Sequence, residues 1–270
     1  MKTLVLGDIH NRVLLAWRIL KQEEGYDSCI FLGDYFDGWG DTSFEARDTA
    51  LFIDHEISDP RHVFLMGNHD LSYRYPWNKA AYCPGWTPEK SEAVSKVLTH
   101  EHWDKMKYFH VAHGILFSHA GVSNVFKQDD IPFLEWIESE CEYSNSQFKN
   151  NNKHGFFKAG KFRGGQEEQS GILWCDHGEF IPTDIPQIYG HSIVRRPDFY
   201  LLPKNSKTRE LFYYDVSIGN HSMLETLRTH DWSLNLDTNS NHYAVIEDMK
   251  GYKTLTIKHA DGTVLLETIL

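Results

Sequence analysis

The chain is poor in cysteine: Cys29, Cys83, Cys141 and Cys175 are its only four in 270 residues, none closer to the next than 34 positions. No C-x-x-C pair exists to build a thiolate zinc site or a redox motif, and reduced, buried thiols are expected. Long apolar runs are missing as well. Nowhere do 18 uncharged apolar residues follow one another, and Asp8 interrupts the first apolar stretch where a secretion signal would continue. A cytoplasmic protein without membrane contact is expected. Positive charge is in deficit, with 27 Lys and Arg against 38 Asp and Glu for a net −11, which argues against affinity built on sequence-independent phosphate-backbone contacts. Strong nucleic-acid binding is not expected, although a local basic groove is compatible with the total. Internal repeats, low-complexity tracts and Pro- or Ser-rich linkers are absent, so one domain over 1–270 is expected.

What is present suits a sizeable core. Apolar residues make up 41%, including 16 Phe, 13 Tyr and 8 Trp, and α/β folds often reach this length as one unit. Sixteen histidines raise the question of which are metal ligands or acid–base groups.

Along the chain, Leu4-Val5-Leu6 is stopped by Gly7-Asp8, and Val13, Leu14, Trp17 and Leu20 then recur at helical spacing behind Asn11 as N-cap. Cys29-Ile30-Phe31-Leu32 is stopped by Gly33-Asp34 and followed by a helix over Phe44–Ile57 with Ser43 as cap. Val63-Phe64-Leu65-Met66, stopped by Gly67-Asn68, makes a third copy. Three such units imply adjacent parallel strands with right-handed crossovers, and ligand sites of open α/β sheets lie at the carboxyl ends of the strands. Residues 71–107 read as a partly helical excursion over that edge. Phe109–Ala112 and Ile115–Ser118 read as a hairpin, Ile131–Cys141 as a helix, and Tyr143–Ser170 as a long polar loop. Ile188-Tyr189 runs into Gly190-His191. Strands are then expected at Phe199–Leu202, Glu210–Val216, Tyr243–Glu247, Tyr252–Ile257 and Val264–Ile269.

Singly, these strand-end junctions are ordinary turns, but together they form an ordered set: Gly7-Asp8-Ile9-His10, Gly33-Asp34-Tyr35-Phe36-Asp37, Gly67-Asn68-His69-Asp70, Ser118-His119-Ala120-Gly121 and Gly190-His191. The set resembles the calcineurin-like metallophosphoesterase superfamily, whose blocks are GDxH, GDxxD, GNH[ED], a single His and a GH pair. The resemblance covers residues 1–195 and implies a two-sheet α/β/β/α sandwich with helices on the outer faces.

The residue types have a chemical logic of their own. Two divalent cations about 3.5–4 Å apart can clamp a phosphate, deliver a hydroxide in line to phosphorus and stabilise the leaving oxygen. Such a pair needs a bridging carboxylate, for which Asp34, central among the strand ends, is the candidate. Asp8 and His10 can converge on one ion, and Asn68, His119 and His191 on the other; the resemblance implies the same partition. Imidazole, amide and carboxylate donors without thiolate suit Mn, Fe or Zn better than an all-oxygen Mg or Ca cage, with Mn put first although the donors do not choose among the three. In similar enzymes the histidine at His69 assists leaving-group departure. Asp37 can hold His69 in one tautomer and raise its basicity, and Asp70 is expected to support it. The glycines at 7, 33, 67 and 190 are expected to let the backbone approach the ions closely.

The expected activity is a phosphomonoesterase, because Gly190-His191-Ser192-Ile193 lacks the second imidazole of the GHxH block in many diesterase-like relatives; a phosphodiesterase or dinucleoside polyphosphate hydrolase is the alternative, and a non-catalytic scaffold the third reading. Leu173-Trp174-Cys175-Asp176 resembles the LWxD segment of the protein serine/threonine phosphatase-like branch with its bacterial and phage members. That branch has Asp-Arg-Gly where this chain has Asp37-Gly38-Trp39, so phosphate neutralisation is assigned to Arg163, with Arg195 and Arg196 behind it. Substrate choice, among phosphorylated small molecules, nucleotides and phosphoproteins, is expected in 71–107 and 143–170, where Trp77, Trp86 and Trp103 could pack on a base or peptide. His221, in Ser217-Ile218-Gly219-Asn220-His221, is a further histidine near where relatives return a strand to the site.

Overall fold

Leu4-Val5-Leu6 lacks a polar face because both faces of its strand are covered: Leu4 and Leu6 pack with helix residues Ala16, Ile19 and Leu20, while Val5 packs toward a second sheet with Ile30, Phe117 and Leu234. The same alternation recurs on the next strand, where Cys29 and Phe31 face the helices and Ile30 the sheet. In this computed structural model, residues 1–203, 212–215, 230–238 and 241–270 are described.

The elements in chain order are β1 (Lys2–Leu6), α1 (Val13–Gln22), β2 (Ser28–Phe31), α2 (Ser43–Glu56), β3 (His62–Phe64), α3 (Asn68–Arg74), α4 (Pro88–Ser95), α5 (His100–Lys105), β4 (Phe109–Ala112), β5 (Ile115–Ser118), α6 (Phe133–Lys149), β6 (Gln187–Tyr189), β7 (Asp198–Pro203), β8 (Phe212–Asp215), β9 (His230–Asn235), β10 (His242–Met249), β11 (Tyr252–His259) and β12 (Val264–Ile269). One sheet runs β12-β11-β10-β1-β2-β3 and the other β4-β5-β6-β9-β7-β8. Parallel pairing joins β1, β2 and β3 in the first sheet and β5, β6 and β9 in the second; antiparallel strands extend both. Both sheets are therefore mixed. They face each other across Val5, Ile30, Phe117, Ile188, Leu234, Ile246 and Ile257, with helices on the outside, so the expected α/β sandwich is the fold.

Three local expectations need correction, and one strand lies where none is expected. Arg12, not Asn11, takes the N-cap position of α1, because Asn11 adopts φ 64° and its amide engages Asp41 Oδ2 at 2.5 Å and Thr49 Oγ1 at 2.7 Å. Thr42 rather than Ser43 caps α2, in a capping box with Glu45. Helix α6 continues to Lys149, since Phe133, Trp136, Ile137, Cys141, Ser144 and Phe148 keep a buried stripe at three- and four-residue spacing through the polar stretch read as loop. Finally, β9 was not expected, although Trp232, Leu234 and Leu236 alternate and are all buried. All four cysteines are free and buried, as expected.

Candidate functional site

The five junctions stand at the carboxyl ends of β1, β2, β3, β5 and β6, and the two sheets bring these ends together. Their backbone is strained where they meet. His10, Asp34, Asp37 and His191 all adopt positive φ, at 45°, 51°, 64° and 71°, a conformation that L side chains enter at a cost and that collects at functional sites. Close approach explains two glycines: a Cβ on Gly67 would lie 2.2 Å from Asp34 Oδ1, and one on Gly190 would lie 2.1 Å from Asp8 Oδ1. Gly7 has no such role, because a Cβ there would come no nearer than 3.4 Å to any neighbour, Leu236 O.

Among the described residues, two groups of three place their donor atoms within 4.8 Å of one another: Asp8, His10 and Asp34, and Asp34, His119 and His191. Asp34 belongs to both. Its Oδ2 lies 3.8 Å from His10 Nε2 and 3.4 Å from His119 Nε2, and Asp8 Oδ2 lies 3.9 Å from His10 Nε2. Asn68 joins the second group through Oδ1, 2.9 Å from His119 Nε2, which is itself 3.2 Å from His191 Nδ1. Secondary contacts aim the rings. His10 Nδ1 faces the Phe36 carbonyl at 2.8 Å and His119 Nδ1 the Leu32 carbonyl at 3.0 Å, so each donates there and turns its Nε2 inward.

These donors suit cations. The Asn68 oxygen and His119 Nε2 converge at 2.9 Å, and buried His191 Nε2 has no hydrogen-bond partner among the described residues. Burial and the neighbouring charges of Asp237 and Asp34 push the Asp8 carboxyl well above its ordinary range; burial acts the same way on Asp34, but His119, His69 and His10 outweigh it and hold that carboxyl low. Burial, reinforced by Asp34, raises Asp70 to about 7. So many carboxylates at one buried place call for counter-charge, and the donor set fits a pair of divalent ions.

Around this centre Asp70 ties two loops together, accepting from Asp34 N and Gly67 N at 2.8 Å and from Tyr35 N at 2.9 Å. His69 donates its backbone N–H to Asp34 Oδ1 at 2.9 Å, and its ring meets His10 edge-on at 5.3 Å between centroids. Its Nδ1 lies 3.1 Å from Asp37 Oδ2. Burial would discharge this imidazole, but Asp34 and Asp37 prevail and raise its pKa to about 9.

Arg163 sits beside the His191 loop, its Nη2 donating to Ser192 Oγ at 2.9 Å and its Nε paired with Asp176. Arg195 and Arg196 are exposed. Trp103 is buried in the core, Trp86 stacks on Tyr82 at 4.0 Å, and Trp77 is about half exposed. His221 lies outside the described residues. Three neighbours of the site escaped the reading of the sequence: Asp237, whose charge acts on Asp8, and Tyr73 and Lys90, which contact Asp37. Only Asp237 had a local signal, the alternation of Trp232, Leu234 and Leu236 that ends at it.

Residues 1–218 match the family model described as calcineurin-like phosphoesterase. No curated protein matches the chain in sequence. Among solved structures, a metallophosphoesterase from Sphaerobacter thermophilus is similar at 12% identity over 97% of this chain and 91% of its own, with a TM-score of 0.45. A protein serine/threonine phosphatase from Saccharomyces cerevisiae is similar at 10% identity over 100% of this chain and 79% of its own, TM-score 0.44. A purple acid phosphatase from yellow lupin seeds is similar at 12% identity over 100% of this chain and 53% of its own, TM-score 0.48.

Proposed function

Since the chain belongs to the calcineurin-like phosphoesterase family, we propose that it is a two-metal phosphomonoesterase. The observation that carries this reading is Asp34, shared between two donor groups and bonded to the backbone of His69. Asp8, His10 and Asp34 would hold one ion, and Asp34, Asn68, His119 and His191 the other; Mn, Fe and Zn suit these donors. Divalent ions there would supply positive charge to phosphate oxygens and make water a nucleophile at neutral pH.

The remaining work falls to side chains of this chain. His69 Nδ1 is engaged by Asp37, which fixes the tautomer and leaves Nε2 to hand a proton to the departing oxygen. Arg163, its Nε held by Asp176 and its Nη2 by Ser192 beside His191, would offer its remaining guanidinium N–H groups to non-bridging phosphate oxygens. Ile193 occupies the place where a second imidazole would favour diesters, which supports the monoester. A scaffold without catalysis is disfavoured because His69 and its orienting carboxylate are both in place.

The test is hydrolysis of an aryl phosphomonoester and an aryl phosphodiester by metal-stripped protein, repeated with added Mn and with Asp34→Asn. Mn-dependent turnover that favours the monoester and vanishes in the variant is expected. Preference for the diester, or for a dinucleoside polyphosphate, would replace the monoesterase reading; no turnover of any phosphate ester would overturn it.

A further inference from the structure

The Asp37 carboxylate that faces His69 is held from behind by a second set of contacts. Tyr73 donates to its Oδ1 at 2.6 Å, and Lys90 Nζ approaches the same oxygen at 3.5 Å, leaving Oδ2 for the imidazole. Lys90 is unusual for a lysine: its side chain is 6% exposed, it lies on α4 within the 71–107 excursion, and both its carboxylate partners are buried. Its ammonium also contacts Asp41 Oδ1 at 2.5 Å and donates to the Gly85 carbonyl at 2.8 Å. Asp41 in turn accepts from Asn11, next to His10. The Gly85 turn packs onto Asp37 so closely that a Cβ there would lie 2.9 Å from the Asp37 Cβ.

Keeping an ammonium here has a cost that the site must recover. Burying a lysine between two carboxylates requires good geometry on every partner, and apolar packing would serve stability as well. Anchored on Asp41 and Gly85, the ammonium still stands 3.5 Å from the one oxygen of Asp37 that His69 does not use, beside the Tyr73 hydroxyl that donates to it.

We propose that Lys90 is a positioning residue for His69: it clamps Asp37 Oδ1 so that Oδ2 meets the imidazole in one orientation, and thereby couples the 71–107 excursion to leaving-group departure. The proposal rests on the phosphoesterase reading for its catalytic consequence but not for its structural one. Nothing in the clamp requires contact between Lys90 and substrate.

The test uses the full chain loaded with Mn and phenyl phosphate, whose poor leaving group makes proton donation matter. Lys90→Met should lower kcat by about 10–100-fold with little change in KM, the range for losing a partner just outside a reactive group. Lys90→Arg should recover most of the loss. In a His69→Asn background, Lys90→Met should cost less than about twofold more, because the clamp then has nothing to orient. Since Lys90→Met strands two buried carboxylates, Asp41→Asn/Lys90→Met is the companion variant. In the zinc-loaded protein, the proton NMR signal of His69 Nδ1–H should shift in both Met variants and return in Lys90→Arg. Equal losses in the two His69 backgrounds, wild-type kcat in Lys90→Met, or an unchanged Nδ1–H signal would overturn the proposal. If the wild-type chain turns over no ester, the function proposed above has failed, and the NMR signal alone decides the role of Lys90.

Discussion

Raising the pH on the metal-free protein should unfold it more easily, and His69 sets the window. In the folded chain its imidazole is held protonated: burial opposes the charge, but Asp34 and Asp37 outweigh it and raise the pKa to about 9. In the unfolded chain the ring returns to about 6.5. Between these values the folded state binds one more proton than the unfolded state, so the free energy of unfolding falls as pH rises. The contribution is complete below 6.5 and is lost as pH passes through 9. With about 1.4 kcal/mol per tenfold in proton affinity, moving from pH 7 to 9 should remove on the order of 2 kcal/mol. His119 adds in the same direction, since Asp34 outweighs burial there and holds its pKa up. Urea midpoints of chelated protein at pH 7, 8 and 9 measure the slope, and His69→Asn should flatten it. Added Zn should shrink the slope, because the ions supply the counter-charge, and should add about 2.7 kcal/mol at a hundredfold excess over Kd. A midpoint that stays level or rises from pH 7 to 9 in chelated wild type would refute this reasoning, as would an undiminished slope in His69→Asn.

His69→Asn should lower phosphomonoester turnover by about 10²–10⁴-fold while elemental analysis still finds the wild-type cation content. Gly190→Ala drives a methyl against Asp8 Oδ1 and should cost about 1–3 kcal/mol in urea unfolding, with weakened cation binding by calorimetry. Arg163→Ala should raise KM about tenfold for a phosphomonoester and leave cation stoichiometry unchanged, as steady-state kinetics and calorimetry would report.

The parts of this protein that were legible from sequence are those set by local chemistry. A short apolar run stopped by Gly and a ligand-type residue marks a parallel strand and its carboxyl-end loop together, so Asp8, Asp34, Asn68, His119 and His191 could be named in order, and the sandwich with them. Elements whose identity depends on distant partners were harder. Strand β9 is flanked by β6 and β7, and its alternation spans only Trp232 to Leu236. The end of α6 was obscured because Tyr143 to Ser146 read as polar, while the buried positions Ser144 and Phe148 that continue its stripe are few. Lys90 carries no sequence signal at all: it is one lysine on a polar helix, and only the tertiary approach of α4 to the loop after β2 turns it toward Asp37. The cap of α1 was misassigned for a related reason, since Asn11 answers to Asp41 and Thr49 rather than to its own helix.

The pairing of β1 carries a cost in time. Lys2 to Leu6 find their antiparallel partners on β10, where Lys2 lies opposite Glu247, and Asp8 accepts from the backbone of His191, 183 positions away. At about 5–20 residues per second, a ribosome needs roughly 10–40 s to supply His191 after Asp8 has been made. Throughout that interval β1 can acquire β2 and α1, but its other edge is open and the second donor group, around Asp34, lacks His191. The nascent first two thirds of the chain is therefore a stage at which edge-to-edge association competes with folding, and the complete set of metal donors can assemble only after residue 191 has left the ribosome.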